Sequence, residues 1–357
     1  MRTMLQRWLA PFLKTMYERF FYDVVLVRKQ GLIYTLLRSI LRFFSLFFYS
    51  AVLLRRMLYR LGIRRSFTPT SLTIVVGNIA VGGTGKTPFT IFLTEKLSKK
   101  MPCAVLTSGY RAEHGNGAYG GDEAALIRRA LPSVPLFVGR DRVASAKQAQ
   151  KEARCLILDD GLQHLALSPH VRIVMIDATA PFGGGYLLPG GLLREPLSVL
   201  QGVDLMVLHR VDLAHNVQEI ENTLRKYTSS PIIHSEFVFN SWHDQSGNAI
   251  TLSEGTKVAL FCGIARPEQF QQLVSKKLTV VLSRFGKDHV GLNENELEAF
   301  IKDAVVCGAE ACVCTEKDIV RLTKKVSFPL YWAKGSIKIV HGQDILEQCI
   351  AGWTKRV

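Results

Sequence analysis

The chain has 357 residues, of which 48% are hydrophobic, and a formal net charge of +15. Its length exceeds what one hydrophobic core usually organises, so we expect two domains and an appendage. Its seven cysteines include no CxxC pair, which argues against a disulfide-stapled secreted scaffold and indicates reduced core cysteines of a cytosolic compartment.

The positive charge is concentrated in residues 1–65. This segment contains thirteen Lys and Arg residues against two acids, Glu18 and Asp23, and therefore carries +11 of the total. The rest of the chain is nearly balanced in charge and has no platform of aromatic and basic residues, so we do not expect nucleic acid as a partner. No obligate protein partner is evident from the sequence.

The basic segment is also the most apolar part of the chain, and it contains two predicted amphipathic helices, over residues 9–20 and 31–61. The uncharged run from Phe43 to Leu54 would cover only about 18 Å of a ~30 Å hydrocarbon core. Arginines flank this run on both sides and favour a helix at the membrane surface, although a strained span or a buried core helix is also open. We predict residues 1–66 to be membrane-associated helices on the anionic, cytoplasmic face of a membrane, peripheral or with a single anchor.

Residues 67–235 alternate short apolar runs with helical stretches, which predicts an α/β domain with a mostly parallel sheet. The predicted strands are Leu72–Val76, Ala104–Thr107, Leu136–Val138, Cys155–Leu158, Ile173–Ile176 and Leu205–Leu208. The predicted helices are Pro88–Lys100, Glu123–Ala130 and Arg142–Lys151. Ligands of such sheets bind at the carboxyl ends of the strands, so polar residues at those ends are the candidates for a site.

A glycine-rich turn between the first strand and the first helix of this domain has the pattern of a phosphate-binding loop. Its residues are Ala80, Val81, Gly82, Gly83, Thr84, Gly85, Lys86 and Thr87. Backbone N–H groups of such a loop surround a polyphosphate, the lysine contacts β and γ oxygens, and the hydroxyl contacts Mg²⁺. The pattern asks for glycine at position 80, and Ala80 can hold that position only with a negative φ. The loop predicts a P-loop NTPase-like domain that binds ATP or GTP.

A second polar cluster follows the predicted strand Cys155–Leu158. An acid at such a strand end commonly holds Mg²⁺ beside the loop hydroxyl, so Asp159 and Thr87 are the candidate metal ligands. Considered alone, Asp160 is equally consistent with a helix-capping acid and with a site residue. Together with Gln163 and His164, however, it favours a substrate-binding site.

Two further segments supply polar groups. Asp122 and Glu123 follow a glycine-rich stretch and begin a helix, where acids are either dipole-complementing caps or a general base for an acceptor hydroxyl. The long loop over residues 181–196 contains five glycines and suggests a mobile lid. In this loop, Arg194 either contacts a phosphate or pairs with Glu195.

A second, smaller α/β domain is predicted over residues 250–357, and we expect it to close over the nucleotide. Its predicted strands are Val258–Ile264, Thr279–Leu282, Cys312–Thr315 and Leu330–Ala333, and its predicted helices are Pro267–Lys276 and Glu294–Cys307. Residues 316–318 follow the third of these strands and read as a solvated turn.

Five motifs in this order resemble those of the tetraacyldisaccharide 4'-kinases, the membrane-associated lipid A 4'-kinases of Gram-negative bacteria. The motifs are VGNIAVGGTGKTP (76–88), GDE (121–123), LDDGLQH (158–164), PFGGGYLLPGGLLREP (181–196) and TEKD (315–318). The resemblance implies transfer of the ATP γ-phosphate to the 4'-hydroxyl of a tetraacylated glucosamine disaccharide 1-phosphate, giving lipid IV-A. It also implies a location at the inner membrane, where the acyl chains of the acceptor are fixed.

Carried over to this chain, the resemblance implies a role for each matching residue. Gly85, Lys86 and Thr87 match the phosphate loop of the family, and Asp159 with Asp160 matches its acidic pair for Mg²⁺ and substrate. Asp122 matches the proposed base, while Glu123, Gln163 and His164 match polar residues of the same site. In the family, a histidine of an Asp-His motif in the second domain is thought to pair with the base. In this chain, His289 is the nearest match.

The sequence departs from the family pattern at two places. Two residues separate Phe285 from Asp288, where the family has one, and Arg111 follows the Ser-Gly-Tyr segment, where the family has arginine before the glycine. The chief alternative from another functional class is a membrane-recruited NTP-binding regulator that phosphorylates no lipid.

Overall fold

A computed structural model describes residues 24–25, 30–109, 121–264, 267–286, 291–322 and 324–355. The chain forms two compact units. The first consists of Met1–Lys86, Leu158–Ser235 and Ile339–Val357, and the second of Thr87–Ile157 and Glu236–Lys338. The domain boundaries expected from the sequence, 1–66, 67–235 and 250–357, remain predictions.

The described secondary structure alternates strands and helices along most of the chain. The helices are α1 (Leu32–Arg60), α2 (Lys86–Ser98), α3 (Gly121–Ala130), α4 (Arg142–Ala149), α5 (Val217–Arg225), α6 (Pro267–Ser275), α7 (Glu294–Val306), α8 (Glu316–Ile319) and α9 (Gln343–Thr354). The strands are β1 (Leu72–Asn78), β2 (Cys103–Thr107), β3 (Leu136–Val138), β4 (Cys155–Asp159), β5 (Val171–Asp177), β6 (Leu205–His209), β7 (Ile232–His243), β8 (Ala249–Ile250), β9 (Lys257–Cys262), β10 (Thr279–Phe285), β11 (Ala311–Thr315) and β12 (Leu330–His341).

Strands of the first unit form a parallel array in the order β7-β6-β5-β1. Its register pairs Ile74 with Val171, and Ile173 with Leu205. β1 and β6 are buried along their whole length, as expected for strands of a parallel sheet that is covered on both faces. This double burial explains why the strands read as continuous apolar runs in the sequence.

The second unit contains two strand arrays. One has the order β4-β2-β3, and the other has the order β10-β9-β11-β12-β7, with β8 antiparallel to β7. The pairs β2–β3, β9–β10, β9–β11 and β11–β12 are all parallel. Phe261 and Phe300 pack edge to face at a centroid distance of 5.6 Å in the core beside the second array.

The predicted α/β fold with mostly parallel strands is confirmed, and every predicted strand overlaps an observed one. Five of these elements were not predicted from the sequence, namely α5, α8, α9, β7 and β8, and only the beginning of β12 was predicted. β7 and β12 each extend over 12 residues, with partly exposed positions that break the apolar pattern of a buried strand. Of the seven cysteines, which we expected in the core, Cys307 is exposed and Cys349 is half-buried, while those at positions 103, 155, 262, 312 and 314 are buried.

The N-terminal helix α1 presents two different faces. Ser45 and Val52, seven residues and therefore two turns apart, are its buried residues. The rest of the helix exposes large apolar side chains, namely Leu32, Ile33, Leu36, Ile40, Phe43, Phe44, Leu46, Phe47, Leu53, Leu54 and Met57. By length and composition alone α1 is able to cross a membrane, with a mean hydropathy of 1.6 in its most apolar window. The helix predicted over residues 9–20 lies outside the described residues.

Candidate functional site

The predicted phosphate loop connects β1 to α2. Gly82 and Gly85 have φ values of +122° and +82°, in the left-handed region where glycine is favoured. Among the described residues other than glycine, positive φ occurs at Asp160 and Arg210, so Ala80 keeps the negative φ that an alanine needs there. A Cβ atom added at Gly82 or Gly83 would meet no atom within 4 Å, so the backbone of the loop faces open space.

The side chain of Asn78, the last residue of β1, stabilises this loop. Its Nδ2 donates to Ala80 O at 2.7 Å and to Thr84 Oγ1 at 3.0 Å, and the side chain is fully buried. A buried amide that satisfies two loop acceptors fixes the shape of the turn. Asn78 was not predicted from the sequence, although a polar residue at the end of a mostly apolar strand was the available signal.

The glycine-rich loop over residues 181–196 is folded against the phosphate loop. Val81 N donates to Leu192 O at 2.8 Å, and Arg194 N donates to Ile79 O at 2.7 Å. Gly191 allows a tight internal turn, because an added Cβ would lie 1.9 Å from Tyr186 O. The loop thus supports the phosphate loop with backbone hydrogen bonds, a different arrangement from the mobile lid that its composition suggests.

Three predicted residues form a charged cluster beside the phosphate loop. Lys86 Nζ lies 3.7 Å from Asp160 Oδ1, and Arg194 Nη1 lies 3.3 Å from the same oxygen. Arg194 also donates to Asn78 Oδ1 at 3.3 Å. Of the two partners considered for Arg194 in the sequence, Glu195 is not the one observed, because Arg194 pairs with Asp160; contact with a phosphate remains a prediction.

The turn after β4 packs closely on β1. An added Cβ at Gly77 would lie 2.4 Å from Leu162 Cβ, so glycine is needed for this approach. Asp159 is buried to 1% exposure, and Gln163 Nε2 donates to Asn78 O at 2.8 Å. Gln163 Oε1 is buried without a hydrogen-bond partner, which leaves an acceptor for a ligand donor or a water. His164 is half-buried.

His209 lies directly beneath the phosphate loop and was not predicted. An added Cβ at Gly85 would lie 2.6 Å from His209 Cδ2, so the loop backbone packs directly against the imidazole ring. Burial and the neighbouring Arg210 lower the pKa of His209 to about 3, and its Nδ1 lies 3.1 Å from Ser235 Oγ. The ring is therefore neutral at physiological pH.

The second unit contains the other predicted acids. Asp122 and Glu123 lie in the first turn of α3, where acids complement the helix dipole. Asp122 Oδ2 accepts a hydrogen bond from Arg321 Nη2 at 2.6 Å. Thr87 belongs to the same unit and is buried, while Asp288 and His289 lie outside the described residues.

Comparisons with known proteins agree with the resemblance seen in the sequence. A family model described as tetraacyldisaccharide-1-P 4'-kinase matches residues 37–353. A tetraacyldisaccharide 4'-kinase of Anaeromyxobacter dehalogenans (strain 2CP-C) is 32% identical over 330 residues, which cover 85% of this chain and 87% of that relative. The kinase of the same name from Chlamydia trachomatis serovar D is 33% identical over 278 residues, covering 72% and 74% of the two chains.

A solved structure has the same fold. It is the crystal structure of an "apo" form of LpxK from Aquifex aeolicus in complex with ATP, and it matches with a TM-score of 0.69. The match covers 89% of this chain and 99% of that chain at 23% sequence identity.

Proposed function

The chain belongs to the tetraacyldisaccharide-1-P 4'-kinase family and is an ATP-dependent kinase of lipid A biosynthesis. We propose which of its residues carry out the reaction. The reaction is transfer of the ATP γ-phosphate to the 4'-hydroxyl of a tetraacylated glucosamine disaccharide 1-phosphate, giving lipid IV-A. The observation that supports this proposal is the cluster of Lys86, Asp160 and Arg194 at a phosphate loop in which Gly82 and Gly83 face open space.

Residues 80–87 bind the phosphates of ATP. The loop N–H groups and the start of α2 supply donors and a positive dipole end, and Lys86 contributes an ammonium with three donors. The Asp160 carboxylate holds the Lys86 side chain at the loop, and Arg194 contacts the same carboxylate oxygen. Loss of the lysine charge would remove much of the electrostatic stabilisation that phosphoryl transfer needs.

The residues around the loop fit Mg²⁺. The described residues contain no group of three or more His, Cys, Asp or Glu that could hold a metal without further ligands, and Mg²⁺ typically takes one or two carboxylates together with phosphate oxygens and waters. Asp159, an acid with 1% exposure at the end of β4, and the Thr87 hydroxyl would hold it. When bound, Mg²⁺ neutralises charge on the transferring phosphate.

We propose Asp122 as the general base of the phosphoryl transfer. As the 4'-oxygen of the sugar bonds to the γ-phosphorus and the bond to the ADP oxygen breaks, the hydroxyl proton passes to the Asp122 carboxylate. His289 pairs with Asp122 in this scheme, and Glu123, Asp160, Gln163, His164 and Arg194 bind the acceptor. A loose transition state depends more on position than on base strength, so the main task of Asp122 is to orient the hydroxyl.

A kinase assay with ATP and the tetraacylated disaccharide 1-phosphate in detergent micelles tests these roles. We expect Asp122→Ala to lower kcat by about 10²-fold or more with a modest change in KM. Near-normal turnover of this variant would remove Asp122 as the base. ATP consumption by the wild type that ignores the lipid acceptor would instead favour a membrane-recruited NTP-binding regulator.

We further propose that α1 binds the anionic surface on the cytoplasmic face of the inner membrane. Its apolar face is exposed, while its opposite face is held by the unit to which it belongs: Ser45 Oγ donates to Leu187 O at 2.8 Å, and Gly190 N donates to Ser45 Oγ at 2.9 Å. A helix anchored in this way along one side suits the interface better than a full span.

Flotation with liposomes that contain anionic lipid tests the membrane proposal. Replacing the exposed Phe44 and Phe47 with serine should reduce flotation at least tenfold, because each phenylalanine contributes apolar burial at the interface. The matched control replaces Val305 and Val306, which are exposed on α7, with serine and should leave flotation unchanged. Equal flotation of the two variants would contradict the assignment of α1.

A further inference from the structure

The segment after β11 contains a buried acid where the sequence predicts a solvated turn. Asp318 on α8 has 1% exposure. Its Oδ1 accepts a hydrogen bond from Gly263 N at 2.9 Å, and its Oδ2 accepts one from the Thr315 hydroxyl. Burial raises the pKa of Asp318, whereas these donors and Arg321 favour the charged form. An acid placed this deeply requires a partner of opposite charge.

Arg321 is that partner, and it reaches two acids at once. Its Nη1 lies 3.2 Å from Asp318 Oδ1 and 3.2 Å from Gly263 O, and its Nη2 lies 2.6 Å from Asp122 Oδ2. An added Cβ at Gly291 would lie 3.2 Å from Arg321 Cδ, so the backbone packs directly against the stem of the arginine. The guanidinium is thus fixed by contacts on several sides, and the Arg321 side chain is only 12% exposed.

We propose that Arg321, anchored by Asp318, is a positioning residue that orients the Asp122 carboxylate for the phosphoryl acceptor. The proposal rests on the role of Asp122 proposed above. Asp122 is the second residue of α3, and helix ends fray readily, so the backbone alone holds it weakly. A planar guanidinium with several donors fixes a carboxylate in one orientation.

The chemistry explains why arginine suits this position. A lysine ammonium is a compact point charge, whereas the arginine fork contacts Asp318, Gly263 O and Asp122 at the same time. Orientation contributes to the reaction only through Asp122, so the effect of removing Arg321 is bounded by the effect of removing Asp122 itself. Coupling between the two residues is therefore the signature of the proposed role.

The test is a double-mutant cycle on the full chain in detergent, with Arg321→Met, Asp122→Asn and the double variant. Kinase turnover, the KM for ATP and the thermal midpoint are measured for each. We expect Arg321→Met to lower kcat by about 10-fold to 10²-fold, within the range for general-base effects, with the KM for ATP unchanged. The double variant should be no slower than Asp122→Asn alone.

Two further variants separate positioning from folding. Arg321→Lys should recover part of the lost turnover, because it keeps the charge but cannot make all the contacts. The control is Arg284→Met, which removes a partly exposed arginine of the same unit that pairs with Asp303 at 2.8 Å. This control should stay within about 2-fold of wild-type turnover.

Each remaining outcome overturns the proposal in a distinguishable way. Equal losses from Arg321→Met in the wild-type and Asp122→Asn backgrounds would mean that Arg321 acts independently of Asp122. Normal turnover of Arg321→Met beside a slow Asp122→Asn would reject the positioning role and keep the base. Normal turnover of Asp122→Asn would reject both the role of Asp122 as the base and the positioning role of Arg321. The kinase reaction would still stand if ATP consumption by the wild type depends on the lipid acceptor.

Discussion

Two arginines of α1 form ion pairs with a fully buried carboxylate, and their removal should release the helix. Glu195 has no exposed surface, and Arg55 Nη2 and Arg56 Nη1 lie 2.9 Å and 3.1 Å from its two carboxylate oxygens. Burial raises the pKa of Glu195, and both arginines act in the opposite direction. The double substitution Arg55→Ala/Arg56→Ala leaves this acid buried and unpaired.

The expected cost follows from that geometry. Removing the partners of a buried charge costs about 3–5 kcal/mol. If α1 opens as a local unit, this loss lowers the hydrogen-exchange protection of its amides by about 10²-fold or more, since 1.4 kcal/mol corresponds to a factor of ten. Glu195→Gln should cost less, because it removes the buried charge while its amide oxygen still accepts from an arginine.

Hydrogen exchange of the full chain in detergent, read by mass spectrometry on peptides from α1, measures the effect. The matched control is Arg60→Ala/Arg64→Ala, which removes two exposed arginines of the same segment and should change protection by less than about 0.5 kcal/mol. If the paired and control variants lose the same protection, the ion pairs with Glu195 do not hold α1, and the reasoning is wrong.

Two further predictions concern the phosphate loop. Gly85→Ala should lower the thermal midpoint and abolish ATP binding, because φ is +82° and the new Cβ would meet His209 at 2.6 Å. Gly202→Ala, whose Cβ would meet no atom within 4 Å, should do neither. The second prediction concerns acid stability. The pKa of His209 is lowered from 6.5 to about 3 in the folded chain, so the unfolded state binds the proton first and stability falls as the pH drops below 6.5. At pH 5 this contributes a loss of about 2 kcal/mol. Denaturant titrations at pH 7 and pH 5 should show this loss diminished in His209→Asn, and an identical loss in both proteins would contradict it.

Local patterns in the sequence predicted the elements that depend on local physics. The phosphate loop follows from glycines, which adopt positive φ without strain, and the predicted strands follow from apolar runs that are buried on both faces. The α1 helix was also predicted from its sequence, because a long apolar run is flanked by arginines on both sides. Its bounds, Leu32–Arg60, lie within one residue of the prediction at each end.

Tertiary structure decided which charged and polar groups meet. Arg194 pairs with Asp160 and not with its sequence neighbour Glu195, whose partners lie on α1. Arg321 reaches Asp122 from 199 positions away in the chain. Such pairings depend on how distant elements pack, and no local periodicity records them. The sequence by itself therefore determined the phosphate loop and the helix with its apolar face, whereas only packing determined the side chains that hold both in place.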